Sequence, residues 1–120
     1  DLPGVGPLVW SPSGHTLAAV RTRDKSHIHL FDVSGNQPKE GLVLDGNFRG
    51  APRGIAFSAD GSKLAACHDL GMVQVWDLTD GRTVKRWELP GAVNHVAFTP
   101  DLRYLLTANI NNTIYLLRLP

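Results

Sequence analysis

A chain of 120 residues, 42% hydrophobic and 19% charged, is sized for one modest core. Its 12 Lys and Arg against 11 Asp and Glu leave a formal net charge of +1, too balanced a field to draw in nucleic acid or an anionic membrane surface. No apolar run approaches the roughly 20 residues that a membrane-spanning helix needs, and Asp1-Leu2-Pro3-Gly4 has neither the basic start nor the apolar centre of a signal peptide. The single cysteine, Cys67, cannot form an internal disulfide, so a reducing compartment such as the cytoplasm is the expectation. Asn111-Asn112-Thr113 fits the N-glycosylation pattern, which carries meaning only in an exported protein.

Taken in order, the chain repeats itself. Val9-Trp10-Ser11-Pro12-Ser13-Gly14 is followed by Ala56-Phe57-Ser58-Ala59-Asp60-Gly61 and then by Ala97-Phe98-Thr99-Pro100-Asp101-Leu102, with the aromatics 47 and 41 positions apart. A second marker recurs downstream of each: Leu30-Phe31-Asp32-Val33, Val75-Trp76-Asp77-Leu78 and Leu116-Leu117-Arg118-Leu119. The intervals here are 45 and 41, the first enlarged by extra residues around Gly35 to Gly41. Apolar alternation in short runs, broken by Gly, Pro, Asp or Asn, predicts strands and leaves no room for a helix of useful length.

In the middle unit the reading places strand a at Gly54 to Phe57 and strand b at Leu64 to Cys67. Strand c follows at Met72 to Asp77 and strand d at Thr83 to Glu88. Ala59-Asp60-Gly61 makes the a-to-b turn and Thr79-Asp80-Gly81 the c-to-d turn, because Asp bonds its own backbone and Gly accepts positive φ. Val73, Val75 and Asp77 should face one side of the sheet, and Met72, Gln74 and Trp76 the other. Leu64-Ala65-Ala66-Cys67, small and apolar throughout, suits a strand covered on both sides. The expected fold is therefore all-β, three four-stranded antiparallel sheets in one domain over 1–120. The units fall at about 5–46, 52–89 and 92–120, and the last lacks its strand d.

The apolar-aromatic-Ser/Thr-Pro/Ala-Asp-Gly turn, four strands per unit, the Trp76-Asp77 ending of strand c and a period in the low forties resemble the WD-repeat β-propeller family, over essentially the whole chain. Trp10-Ser11-Pro12-Ser13-Gly14-His15 followed by Leu17-Ala18 also resembles the repeats of TolB-type propellers. Members of the WD-repeat family often carry an Asp six positions before the strand c Trp and a Gly-His pair before strand a, which join a buried polar network. Here the Asp position holds Lys25, Leu70 and Asn111, and Glu88-Leu89 occupy the Gly-His position of the third unit. That departure shifts the expected stabilisation from polar bonding toward packing.

Catalytic and metal chemistry is thinly represented. His27 and His29 share one face of a strand at i and i+2, with Ile28 and Leu30 opposite, but no Cys or His cluster completes a zinc site. No Gly-x-Ser-x-Gly elbow, phosphate loop or paired carboxylate motif appears, and turn geometry explains the recurrence of Ser11 and Ser58. Cys67 reads as a core thiol, Trp76 as packing between units, and His68 and Asp69 as solvated turn residues. No cofactor and no catalytic role is expected.

What the resemblance implies instead is recognition of a protein or peptide on the loops joining strands b to c and d to a, close to the central channel. Those positions are Arg23, Asp24 and Lys25, then His68, Asp69 and Leu70, then Asn109, Ile110 and Asn111, with Arg49 and Arg53, and Asn94 and His95, from the d-to-a side. The implied function is a non-catalytic interaction scaffold belonging to a larger protein. The alternative is a propeller enzyme or sensor holding a small ligand or metal in its channel, which would need acidic or histidine side chains where Leu8, Ile55 and Val96 stand at the inner a strands. Three units do not close a ring, and two open sheet faces would expose roughly 600 Å² of largely apolar surface. Further blades, from a longer chain or from copies of this one, are the expected neighbours. The likeness of Asp1-Leu2-Pro3-Gly4 to Glu88-Leu89-Pro90-Gly91 places the chain's start within a strand d and favours the longer chain.

Overall fold

The computed structural model describes residues 5–21, 27–45, 52–68 and 70–120, and among them every regular element is a strand. The first sheet runs β1 (Val5–Trp10), β2 (Thr16–Arg21), β3 (His27–Asp32) and β4 (Lys39–Asp45) in sequential order. The second repeats this with β5 (Pro52–Phe57), β6 (Lys63–His68), β7 (Met72–Asp77) and β8 (Thr83–Glu88). The third has three strands, β9 (Val93–Phe98), β10 (Tyr104–Asn109) and β11 (Ile114–Arg118). All neighbours pair antiparallel, so each sheet is a meander. Strands c and d of the second sheet match the sequence reading to the residue; a and b are longer than expected, by Pro52 and Arg53 in β5 and by Lys63 and His68 in β6.

Alternation decides which side of each sheet meets which neighbour. Leu64, Ala66 and Trp76 of the second sheet join Ala18, Val20, Ile28, Leu30 and Leu44 of the first in one core, with Ile55 and Phe57 packed against it. Ala65, Cys67, Val73 and Val75, on the opposite side, join Val93, Val96, Leu105 and Leu119 of the third in another. The second sheet is thus the middle layer of three, its b and c strands covered on both sides as their small apolar sequence requires. Trp76, 1% exposed, is the largest fully buried side chain and lies between blades, as its strand position predicts.

The a-to-b turns hold the blades in register. The buried Ser58 hydroxyl accepts the Lys63 N–H at 3.0 Å and donates to Asp60 at 2.7 Å, while Asp60 also accepts the Ser62 N–H at 3.0 Å. Thr99 and Asp101 repeat this in the third blade, with Tyr104 N–H on Thr99 Oγ1 at 3.1 Å and Arg103 N–H on Asp101 at 3.0 Å. In the first, Ser11 Oγ accepts the Thr16 N–H at 3.1 Å. Ser11 and Ser58 are structural turn residues for this reason: their hydroxyls are committed to closing the turn.

Candidate functional site

At the end of the blades opposite those turns, the b-to-c and d-to-a connections come together. In the second blade the Leu89 N–H donates to the Gly71 carbonyl at 2.7 Å, tying the d-to-a segment to the b-to-c turn. In the third, the Ile110 N–H donates to the Ala92 carbonyl at 3.2 Å, and Asn109 bonds Thr113 through both backbone (3.0 Å) and side chain (3.0 Å). Asn111 accepts from the Thr113 N–H and hydroxyl. These hydrogen bonds tie the described loop residues to the ends of the strands.

The centre of this surface is built by two bulges. The β5–β6 register runs Pro52↔His68 and then Gly54↔Cys67, leaving Arg53 as the extra residue; the β9–β10 register runs Asn109↔Val93 and then Ala108↔His95, leaving Asn94 as the extra residue. A bulge re-aims its side chain out of the pleat. Because Arg53 and Asn94 occupy the same place in successive blades, the two bulges turn them toward each other, and Arg53 Nη1 donates to Asn94 Oδ1 at 2.9 Å across the blade boundary. The adjacent Gly54 permits this approach: a Cβ there would lie 3.1 Å from the Asn94 carbonyl oxygen and 3.2 Å from Cys67 Sγ. Around the pair stand exposed His95 and Asn111, with Leu70 and Ile110 exposed at the turn tips.

The structure thus brings together Arg53, Asn94, His95, Asn109 and Asn111 on one end of the molecule. It places Arg53, Asn94 and His95 within strands rather than in the d-to-a loops, because the bulges carry pairing past the point where alternation stops. His68 is a correction. Expected in a solvated turn, it is the last residue of β6, fully buried on the same side as Leu64 and Ala66, because β5 pairs as far as Pro52. Arg23, Asp24, Lys25, Arg49 and Asp69 lie outside the described residues.

His27 and His29 do share a face, their rings 6.4 Å apart, but each turns to a carboxylate of β4: His29 Nδ1 lies 3.1 Å from Glu40 and His27 Nε2 3.9 Å from Asp45. Among the described residues no group of three or more His, Cys, Asp or Glu converges as metal ligands would. Leu8, Ile55 and Val96 prove to belong to the sides of the blades; Ile55 and Val96 pack in the cores between them. The resolved shifts in ionisation fall at the other end of the molecule. The Ser62 N–H, then the Ser58 and Ser62 hydroxyls, hold Asp60 down at about 2, and Asp32, Asp77 and Asp101 are lowered by hydrogen bonds from Ser34, Thr79 and Thr99 with Arg103. These are structural anions, and none of them lies on the end carrying Arg53 and Asn94.

Comparison with known proteins agrees with this architecture. Residues 39–77 and 81–116 match the family described as WD domain, G-beta repeat, each match beginning at or near an outer strand and ending on strand c. Autophagy-related protein 18 of Meyerozyma guilliermondii is 33% identical over 94 residues, which are 75% of this chain and 16% of that protein. The U5 small nuclear ribonucleoprotein 40 kDa protein of Mus musculus is 36% identical over 87 residues, 66% of this chain and 24% of that protein. Among solved structures, the β-propeller domain of Myceliophteria thermophila Cps50 (Swd1) superposes on 99% of this chain with a TM-score of 0.84 at 17% identity, the chain spanning 36% of it.

Proposed function

Because the chain belongs to the WD40 family of G-beta repeats, we propose that it is a non-catalytic interaction scaffold, three blades of a larger propeller protein, that receives a protein or peptide on the end carrying Arg53 and Asn94. The blades span about 5–46, 52–89 and 92–120. The observation that carries this reading is the bulge pair: two blades place a guanidinium and an amide side by side, 2.9 Å apart, on an exposed surface. A guanidinium and an amide are the groups that recognise a partner's carbonyls and carboxylates. Exposed Leu70 and Ile110 supply apolar contact beside them. His95, Asn109 and Asn111, with Arg23, Asp24, Lys25, Arg49 and Asp69, extend the proposed surface. The proposed compartment is the cytoplasm, in keeping with one core cysteine.

The test is a peptide-display selection on the chain, with binders counter-screened on an Arg53→Ala/His95→Ala variant. Selected peptides should weaken about tenfold or more on the variant, equivalent to about 1.4 kcal/mol, while its unfolding free energy stays within about 0.5 kcal/mol of the parent. Binders that ignore both substitutions would move the site elsewhere on the molecule.

A further inference from the structure

The two outer strands answer their charges differently. In β4, Glu40 lies 3.1 Å from His29 and Asp45 3.9 Å from His27, so its carboxylates meet imidazoles of the adjacent strand. In β8, Lys85 and Arg86 are exposed, and among the described residues neither lies within ion-pair distance of a carboxylate. Arg86 Nη2 instead donates to Met72 Sδ at 2.6 Å, while nearby Arg82 is the cation that pairs with Asp80, at 3.4 Å. This strand belongs to the blade that has a neighbour on each side, and in the order β5-β6-β7-β8 its outer backbone edge has no partner strand among the described residues.

That edge is regular over part of its length. The β7–β8 register runs Met72↔Glu88, Val73↔Trp87, Gln74↔Arg86 and Val75↔Lys85, then shifts so that Trp76 meets Thr83 and Val84 is the extra residue. The run from Lys85 to Glu88 therefore presents alternate backbone N–H and C=O groups outward in ladder geometry. Lys85 and Trp87 lie on the side of Val73 and Val75, toward the third blade, where Trp87 is half-buried; Arg86 and Glu88 lie on the other side.

A bulge and cations on an edge turn most strands away. The same two devices also select: the bulge limits an added strand to a short one, and unanswered cations on both of its sides favour carboxylates at adjacent positions. We propose that the outer edge of β8 is a second interaction surface, which takes an extended acidic peptide as a fifth, antiparallel strand of the second blade. Antiparallel pairing continues the rest of the sheet and is the more stable ladder per residue. In that orientation the residues facing Glu88, Trp87, Arg86 and Lys85 follow one another from N- to C-terminus. The complementary sequence is therefore Lys-Val-Glu-Glu, its Val laid beside Trp87. This surface is separate from the end carrying Arg53 and Asn94.

Fluorescence anisotropy should show a labelled peptide containing Lys-Val-Glu-Glu binding the chain about tenfold or more tighter than its charge-reversed counterpart, Glu-Val-Lys-Lys. A Lys85→Glu/Arg86→Glu variant should invert that preference and a Lys85→Gln/Arg86→Gln variant should abolish it, both with the parent's circular dichroism, because the two side chains lie in solvent. N-methylation of alternate peptide amides separates an added strand from an anion held by charge alone. One set of alternate positions should destroy binding and the other preserve it, since an edge bonds only alternate residues of its partner. The Arg53→Ala/His95→Ala variant should bind the peptide as the parent does. A parent chain that fails to bind, a preference that charge reversal leaves unchanged, equal effects of the two methylated sets, or loss of binding on the Arg53→Ala/His95→Ala variant would each overturn the proposal.

Discussion

The second and third blades are the same unit under different cover. Val73 and Val75 of β7 are fully buried against the third blade, whereas Ile114 and Leu116, at the same positions of β11, are 71% and 58% exposed. Yet β9, β10 and β11 keep the register of β5, β6 and β7, with the same bulge at the same place. The pairing is the same in both blades, set by turn chemistry and the backbone ladder. What cover adds is stability: the apolar area removed from water between blades is the main favourable term available to a meander that exposes one face.

That difference is sharpest at the strand c aromatic position. Trp76 and Leu117 both face the preceding blade, but Trp76 is enclosed and Leu117 only half-buried. Replacing Trp76 with Ala should lower the unfolding free energy by about 3–5 kcal/mol, the range for an enclosed aromatic. Leu117→Ala should cost about 1–2 kcal/mol, since part of its surface is already in water. Urea titrations of both variants measure the contrast, and equal losses would show that the third blade is as tightly covered as the second.

How far the sequence foretold this follows from what alternation reports. Strands β7 and β8 were legible to the residue because turn residues bound both, Gly71 before β7, Asp80-Gly81 between them and Pro90-Gly91 after β8. The extensions of β5 and β6 were not, because a bulge breaks the period of two: Arg53 and Asn94 look like loop residues until pairing is seen to pass around them. The same shift hid the burial of His68, a residue type that polarity alone assigns to solvent. The Arg53–Asn94 contact did leave one trace, since the two residues are separated by the 41 positions that also separate Phe57 from Phe98.

A smaller effect separates the same two blades at the a-to-b turn. Gly14 and Gly61 hold φ at 77° and 75°, and Leu102 stands at the equivalent position with φ 61°. A side chain in that left-handed region costs roughly 1–2 kcal/mol through the contact of Cβ with the carbonyl, against which glycine loses roughly 0.5–1 kcal/mol of chain entropy. Leu102→Gly should therefore raise stability by up to about 1 kcal/mol, and Gly61→Leu should lower it by about the same amount. Thermal melts of the pair test the difference. A destabilised Leu102→Gly would mean that its half-buried side chain contributes more packing than the turn geometry costs.

The smallest expected difference appears only in acid. Asp60 is held at about 2 by the Ser62 N–H and the Ser58 and Ser62 hydroxyls, below its ordinary 3.8, so its contribution is present above about pH 4 and disappears as pH falls through about 2. Asp101 is lowered by the Thr99 hydroxyl and the Arg103 N–H, whereas the first blade has the non-titrating Ser13 there, 3.1 Å from Ser11 Oγ. Asp60→Asn/Asp101→Asn keeps an acceptor oxygen at each turn while removing the charge. Its melting temperature should fall less than the parent's between about pH 4 and pH 2, leaving the slope contributed by Asp32 and Asp77. An unchanged slope would place the acid sensitivity in the c-to-d turns and make the a-to-b carboxylates interchangeable with the serine of the first blade.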